Sequence, residues 1–280
     1  MQNVAVLVLA LVASAVCYGL DSSSLGKAIG QSALLTAIAL AAAMLIRPAS
    51  LRARGKTPRD VSDPAQPPAR RTLVGIRIPI ALVCAAGLLG GAISWAAAGF
   101  PHPSASPQAA VLVAQILALC ALTGIAEEVL YRAAMMEAFV PALGADDRAI
   151  LKAAAASALI FAALHLSVPA DGSTVALAQA LLKPVQAALF GFTLALLYCR
   201  TRSVWPCATL HAAFNVLYLG PSLLVSGVVA TTYASGQASD LAILAATTAM
   251  LAIAAVCAFC AFSKSGKSSE NFLAHGEKLR

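Results

Sequence analysis

AAVLVAQILALCALTGIAEEVLYRAAM, residues 109–135, decides the fold. About seventeen almost unbroken apolar residues lead from Ala109 to the charged group Glu127, Glu128 and Arg132. In a water-soluble protein that group would be an ordinary helix face. The rest of the chain excludes that setting. Its 280 residues are 60% hydrophobic and 11% charged, with a mean hydropathy of +0.83. Soluble domains carry about 25% charged residues. A globular core cannot hide so much apolar surface, so the solvent is lipid. Closed barrels alternate apolar and polar residues, whereas this chain has long unbroken runs rich in Ala and Leu. The reading is an all-α polytopic membrane protein.

Working outward, eight segments reach membrane length: 3–20, 28–46, 78–100, 109–142, 149–167, 175–198, 204–226 and 240–262. About eight transmembrane helices are therefore expected, with the chemistry in the later spans. The fourth segment is too long for a simple span and should protrude or break. The sixth contains Lys183-Pro184, which predicts a kink or a short interfacial helix ahead of the span proper. The first reads as a retained span, because it lacks a positive leading region and exceeds a usual signal core.

Loop charges set the orientation. Residues 47–77 carry Arg47, Arg52, Arg54, Lys56, Arg59, Arg70, Arg71 and Arg77 against only Asp60 and Asp63, with DPAQPP as an unstructured linker. Basic loops stay in the cytoplasm. Alternation then puts Arg200, Arg202 and the tail with Lys264, Lys267, Lys278 and Arg280 inside, and PHPSASPQ outside. Both termini are expected in the cytoplasm of a multi-pass protein, with a bacterial plasma membrane as its setting. The net charge of +7 follows from this loop bias and is not a nucleic-acid signature. Seven cysteines lie in or beside apolar runs and read as small buried apolar residues, including the CxxC of Cys257 and Cys260.

Ionisable groups inside spans are costly and mark functional sites. Three constellations stand out. In EEVLYR, Glu128 and Arg132 are four apart and share a helical face. Glu127 is rotated by about 100° from Glu128, so one glutamate reads as paired and the other as free. A partly desolvated glutamate suits the acceptance and return of a proton. In FAALH, Phe161 and His165 share a face; in HAAFN, His211 and Asn215 do. The plainer readings are an interfacial helix end with a snorkelling arginine, and two packed histidines.

Taken together, one carboxylate, two imidazoles and one amide meet the needs of water-mediated acyl hydrolysis. A base must deprotonate water and later protonate the leaving amine. Donors must meet the oxyanion. Glu127 with His165 can hold and activate the water, and His211 with Asn215 can supply the donors. No serine or cysteine in these stretches has the partners of a nucleophile triad.

The ordered set EExxxR, FxxxH and HxxxN, each on its own span, resembles the CPBP family of intramembrane proteases. That family includes CAAX prenyl endopeptidases of the Ras-converting type and the bacterial Abi, or bacteriocin-immunity, proteins. TRSVWPCATLHAAFN also resembles its last core helix. The resemblance divides the chain into N-terminal spans 1–108 with the basic loop 47–77, a catalytic core 109–226, and a last span with a basic tail, 227–280. It implies Glu127 as catalytic glutamate aided by His165, His211 and Asn215 as the oxyanion site, and Glu128 and Arg132 in support. It also implies a cavity open to the cytoplasm. The family often has Phe at the position of Tyr131 and Gly at that of Ala133, which touches packing rather than chemistry.

Family members have also been regarded as metalloproteases, with Glu127, His165 and His211 as the corresponding zinc ligands here. There is no HExxH, and Asn is a poor zinc ligand, so the expectation is no cofactor, with zinc as the alternative. The expected partners are the lipid bilayer and a membrane-associated protein or peptide substrate, prenylated or not. A secondary transporter or proton relay is the competing class, but no matching pair of halves is found. An inactive immunity or scaffold relative is the other. Simple counting also puts Glu127 and His165 at different depths if their helices are straight.

Overall fold

The computed structural model describes residues 2–20, 22, 24–52, 75–99, 107–143, 147–227, 229 and 234–263. The DPAQPP linker, residues 53–74 of the basic loop, most of PHPSASPQ and the basic tail from 264 lie outside the described residues. The helices are α1 (Gln2–Tyr18), α2 (Leu25–Arg52), α3 (Arg77–Ala97), α4 (Pro107–Glu128), a π-helical segment (Val129–Met136), α5 (Glu137–Leu143), α6 (Asp147–Ala163), α7 (Thr174–Thr201), α8 (Val204–Ser226) and α9 (Ala238–Ser263). No strand occurs among the described residues.

Among the described residues six helical stretches are long and apolar enough to cross a membrane, including Pro107–Val140 as one piece of 34 residues. The expected eight is therefore approximate: Asn3–Tyr18 is apolar but shorter, and α6 has 17 residues. The long fourth segment does not break. It stays helical and widens into the π turn. Nor does α7 break at Lys183-Pro184; one helix of 28 residues runs through Pro184. A separate interfacial helix is thus absent there.

The side-chain distribution is that of a protein dissolved in lipid. Leu9, Met44, Leu159 and Leu181 are more than 60% exposed, while Glu128, Arg132 and Gln179 are at 0%. Lipid offers no hydrogen bonds, so polar groups turn inward and meet each other. All seven cysteines are free; Cys17, Cys120, Cys199 and Cys207 are buried as expected, but Cys260 is exposed on α9.

Traced by contacts, the helices run α2–α4–α8–α3–α9–α7–α6 and return through the π segment to α2, with α1 laid on α2. Small residues permit the closest approaches. At Gly124 of α4 a Cβ would lie 3.0 Å from the Ala208 carbonyl oxygen and 3.0 Å from the Ala212 nitrogen of α8. Both are backbone atoms of a helix and cannot step aside singly. Gly124→Ala should therefore destabilise the protein by about 1–3 kcal/mol. It should also push α8, which carries His211, away from Glu127. Thermal unfolding in detergent measures the first effect; wild-type melting would remove this account of the α4–α8 contact.

The ends of α5 and α7 are tied together. Arg202 closes α7 at φ 51°, a left-handed conformation uncommon outside glycine. Its guanidinium pairs with Glu137 at 3.1 Å, and Tyr198 donates to the same carboxylate at 2.8 Å. Helices α5 and α6 pack on each other. Glu127 lies sixteen residues before Leu143, and Ala163 sixteen after Asp147. Equal climbs from one end bring Glu127 and the end of α6 to similar height. This removes the depth mismatch: the fourth helix extends well past Glu127, and α6 climbs back beside it.

Candidate active site

The site forms where the last turn of α4 passes into the π segment. All eight residues of Val129–Met136 are buried, so the wide turn is sheltered from lipid. Such turns recur at functional sites. Within it Arg132 reaches back to Glu128. Their Nε–Oε2 separation is 2.9 Å at 0% exposure for both side chains. That contact is an ion pair whose angles fall outside a hydrogen bond, and the hydrogen bond runs from Nη2 to Oε1 at 3.3 Å. Arg132 Nη1 donates to Ser157 Oγ at 3.4 Å, and Ser157 donates to the Tyr131 carbonyl at 3.0 Å. The guanidinium carbon sits 5.6 Å from the centre of the Phe161 ring.

His211 of α8 enters between the two glutamates. Its Nδ1 lies 2.9 Å from Glu128 Oε1, and its Nε2 lies 3.3 Å from Glu127 Oε2. A neutral imidazole has one N–H. The Nδ1 contact has hydrogen-bond geometry and the Nε2 contact is at ion-pair distance; both are attractive only when this trio holds one further proton, on the ring or on a carboxyl group. Phe190 meets the imidazole edge-on at 4.8 Å. The expectation of His211 as an open oxyanion donor is modified by this geometry, because both ring nitrogens face carboxylates. The longer contact, at Nε2, is the one more easily given up.

Glu127 is 6% exposed and is not free as the helical spacing had suggested. Tyr18 of α1 donates to its Oε1 at 2.7 Å. Sequence reasoning misses Tyr18, since a tyrosine ending an apolar run reads as a membrane-interface residue. It also misses Ser157, a small polar residue in an alanine-rich run. Neither has a local signal.

His165 sits just past the end of α6. Its Nδ1 bonds the Phe161 carbonyl at 2.9 Å. A carbonyl only accepts, so the proton is on Nδ1 and Nε2 is the acceptor nitrogen of the neutral ring. Phe161 joins the two histidines, with its ring centre 4.6 Å from that of His165 and 6.1 Å from that of His211. Asn215 lies one turn beyond His211, is partly exposed, and makes no hydrogen bond within the described protein. Lys183, nearly buried and donating to Gln186 Oε1 at 2.8 Å, is within electrostatic reach of Glu127 and His165.

The structure thus gathers Glu127, Glu128, Arg132 and His211 by direct contact, and His165 through Phe161. Zinc would have to displace a contact already made here, because both nitrogens of His211 face carboxylates. The Nδ1–H of His165 on a carbonyl is an arrangement that zinc-bound imidazoles also use. Among the described residues no three of His, Cys, Asp or Glu are grouped to hold a metal ion.

Residues 109–217 match the family described as Type II CAAX prenyl endopeptidase Rce1-like. The matched stretch, under half of the chain, contains Glu127, Glu128, Arg132, Phe161, His165, His211 and Asn215. No curated protein and no solved structure matches the chain. The resemblance read from the three motifs therefore holds over this segment, and it supports an intramembrane protease of the CAAX type in a multi-pass membrane protein.

Proposed function

We propose that the protein is an intramembrane endopeptidase in which Glu127 activates water, with both termini on the cytoplasmic side. One observation carries this reading: a buried carboxylate whose neighbours are Tyr18 and His211, while the arginine beside it is taken by Glu128. Arg132 so paired leaves Glu127 able to take a proton.

In the proposed cycle Glu127 accepts a proton from water as the water oxygen attacks the peptide carbonyl. His165, with Nε2 as acceptor, helps hold that water. The carbonyl π electrons move onto oxygen. The Asn215 amide and His211 Nε2–H meet the oxyanion, once Nε2 has left Glu127 and while Glu128 holds Nδ1 of the protonated ring. The C–N bond then breaks, and Glu127 returns its proton to the leaving amine. The cycle is proposed without a metal, and the chelator arm below tests that.

A lipidated substrate is favoured by a cleft of ≈ 470 Å³ between α3, α4 and α8, lined by Leu88, Trp95, Leu117, Val216 and Gly220 among others. Helices α4 and α8 also carry Glu127 and His211. A Cβ at Gly220 meets nothing within 4 Å, so Gly220→Leu would project into the cleft without a backbone clash. The test is cleavage of matched lipidated and unlipidated peptides by wild type, Glu127→Gln, Glu128→Gln, His165→Ala and Gly220→Leu, with and without a strong chelator. Cleavage by wild type is expected to survive the chelator. Gly220→Leu should slow the lipidated peptide about tenfold or more and spare the unlipidated one. Chelator inhibition reversed by zinc would establish the metal route instead. Substrate flux driven by a proton gradient, with no peptide cut, would establish a transporter.

A further inference from the structure

On the α1 side of Glu127 lies a small cavity whose wall includes Ser14, Tyr18, Ala126, Glu127, Leu130 and Tyr131. It offers ≈ 10 Å³ to the centre of a water-sized sphere. A single buried water occupies ~10–15 Å³. The cavity has room to admit one water.

Two wall residues make a case for that occupant. Ser14 Oγ and Tyr131 Oη are buried and have no hydrogen-bond partner among the described residues, and both residues are 1% exposed. A hydroxyl left unmade inside a membrane protein is destabilising, since lipid supplies no partner. Here the two residues that carry such hydroxyls, one from α1 and one from the π segment, line the same small space as Glu127. Buried waters typically make about three hydrogen bonds. Ser14, Tyr131 and Glu127 are three polar residues on its wall.

We infer that this cavity is a single-water site held by Ser14, Tyr131 and Glu127, and that together with the Tyr18 hydroxyl it positions the Glu127 carboxylate. Ser14, Tyr18 and Tyr131 are positioning residues; they hold the base from behind and do not touch substrate. Helix α1 is then part of the working site, although it lies outside the segment that matches the family. The kinetic arm of the test rests on the reading of Glu127 as the base; the stability arm does not.

The experiment compares Ser14→Ala, Tyr131→Phe, the double variant and Ser14→Val, whose added methyls take the space of the water. Each single change should lower kcat about tenfold, the loss of one hydrogen bond near the base, with KM unchanged. The double variant should lose little more than either single, because both hydroxyls hold the same water. Ser14→Val should match the double. Thermal unfolding should follow the same pattern, each single variant melting lower and the pair being non-additive. A high-resolution experimental structure should show density between the two hydroxyls.

A dry cavity predicts the reverse. Removing unmet hydroxyls would then raise the melting temperature additively and leave kcat as in wild type, and that result overturns the inference. Loss of activity in Glu127→Gln together with that result would leave the proposed function standing. If no peptide is cleaved by wild type, the proposed function fails, and the sign and additivity of the melting shifts still decide the water site.

Discussion

Glu127→Gln folds as the wild type does and cleaves peptide with a kcat lower by about 10²–10⁴-fold, KM being unchanged. The amide keeps the size of the carboxylate. Its oxygen still accepts from Tyr18, whose bond to Oε1 is 2.7 Å, so the local packing survives. What is lost is chemical: an amide does not take a proton from water and has none to return to the amine. Loss of kcat without loss of binding is the signature of an interaction made only in the transition state. Steady-state kinetics with a thermal melt as control measures both halves. Wild-type kcat in this variant would sink the assignment of the base. Glu128→Gln behaves differently, losing stability as well as rate, because Glu128 holds both Arg132 and His211.

Arg132→Met is expected to destabilise the protein by about 3–5 kcal/mol, the cost of stranding a buried charge by removing its partner. Arg132 and Glu128 are both at 0% exposure. Without the guanidinium, Glu128 keeps only its contact to His211 Nδ1, and neither water nor lipid can replace the lost charge. Methionine fills much of the volume and keeps contact with Phe161, so the loss reports the charge rather than a cavity. The double variant Arg132→Met, Glu128→Gln should recover part of the loss, since the stranded charge is gone. Yield and thermal unfolding in detergent are the readouts. A single variant melting with wild type would mean that the pair does not hold the π segment.

The spans were legible in the sequence because lipid enforces them. A chain segment in hydrocarbon must satisfy its own backbone, so apolar length alone nearly fixes where helices lie. The expected 204–226 is α8 to the residue, and 240–262 falls within α9, Ala238–Ser263. What length could not settle was continuity. Pro184 predicts a kink or a short interfacial helix, and the overlong fourth segment predicts a protrusion or a break, yet both helices continue. Helices α6 and α9 pack along α7, and the fourth segment runs on through the buried π turn.

The site divides in the same way. Glu128 with Arg132 was legible because both stand on one helix, where spacing fixes proximity. His211 reaches Glu128 across 83 residues of sequence and Tyr18 reaches Glu127 across 109. No periodicity encodes such contacts. They arise from α8 closing on α4 at Gly124, and from α1 lying across α2.

By itself the sequence determined that the solvent is lipid, where the helices lie, and which polar residues the membrane tolerates. Those follow from hydropathy and helical spacing, which are local. The tertiary structure decided which polar residues meet: a histidine between two glutamates, a tyrosine on the candidate base, and a serine and a second tyrosine on one small cavity. Those depend on how helices distant in sequence pack, and packing at that distance is set by the shape of every intervening side chain.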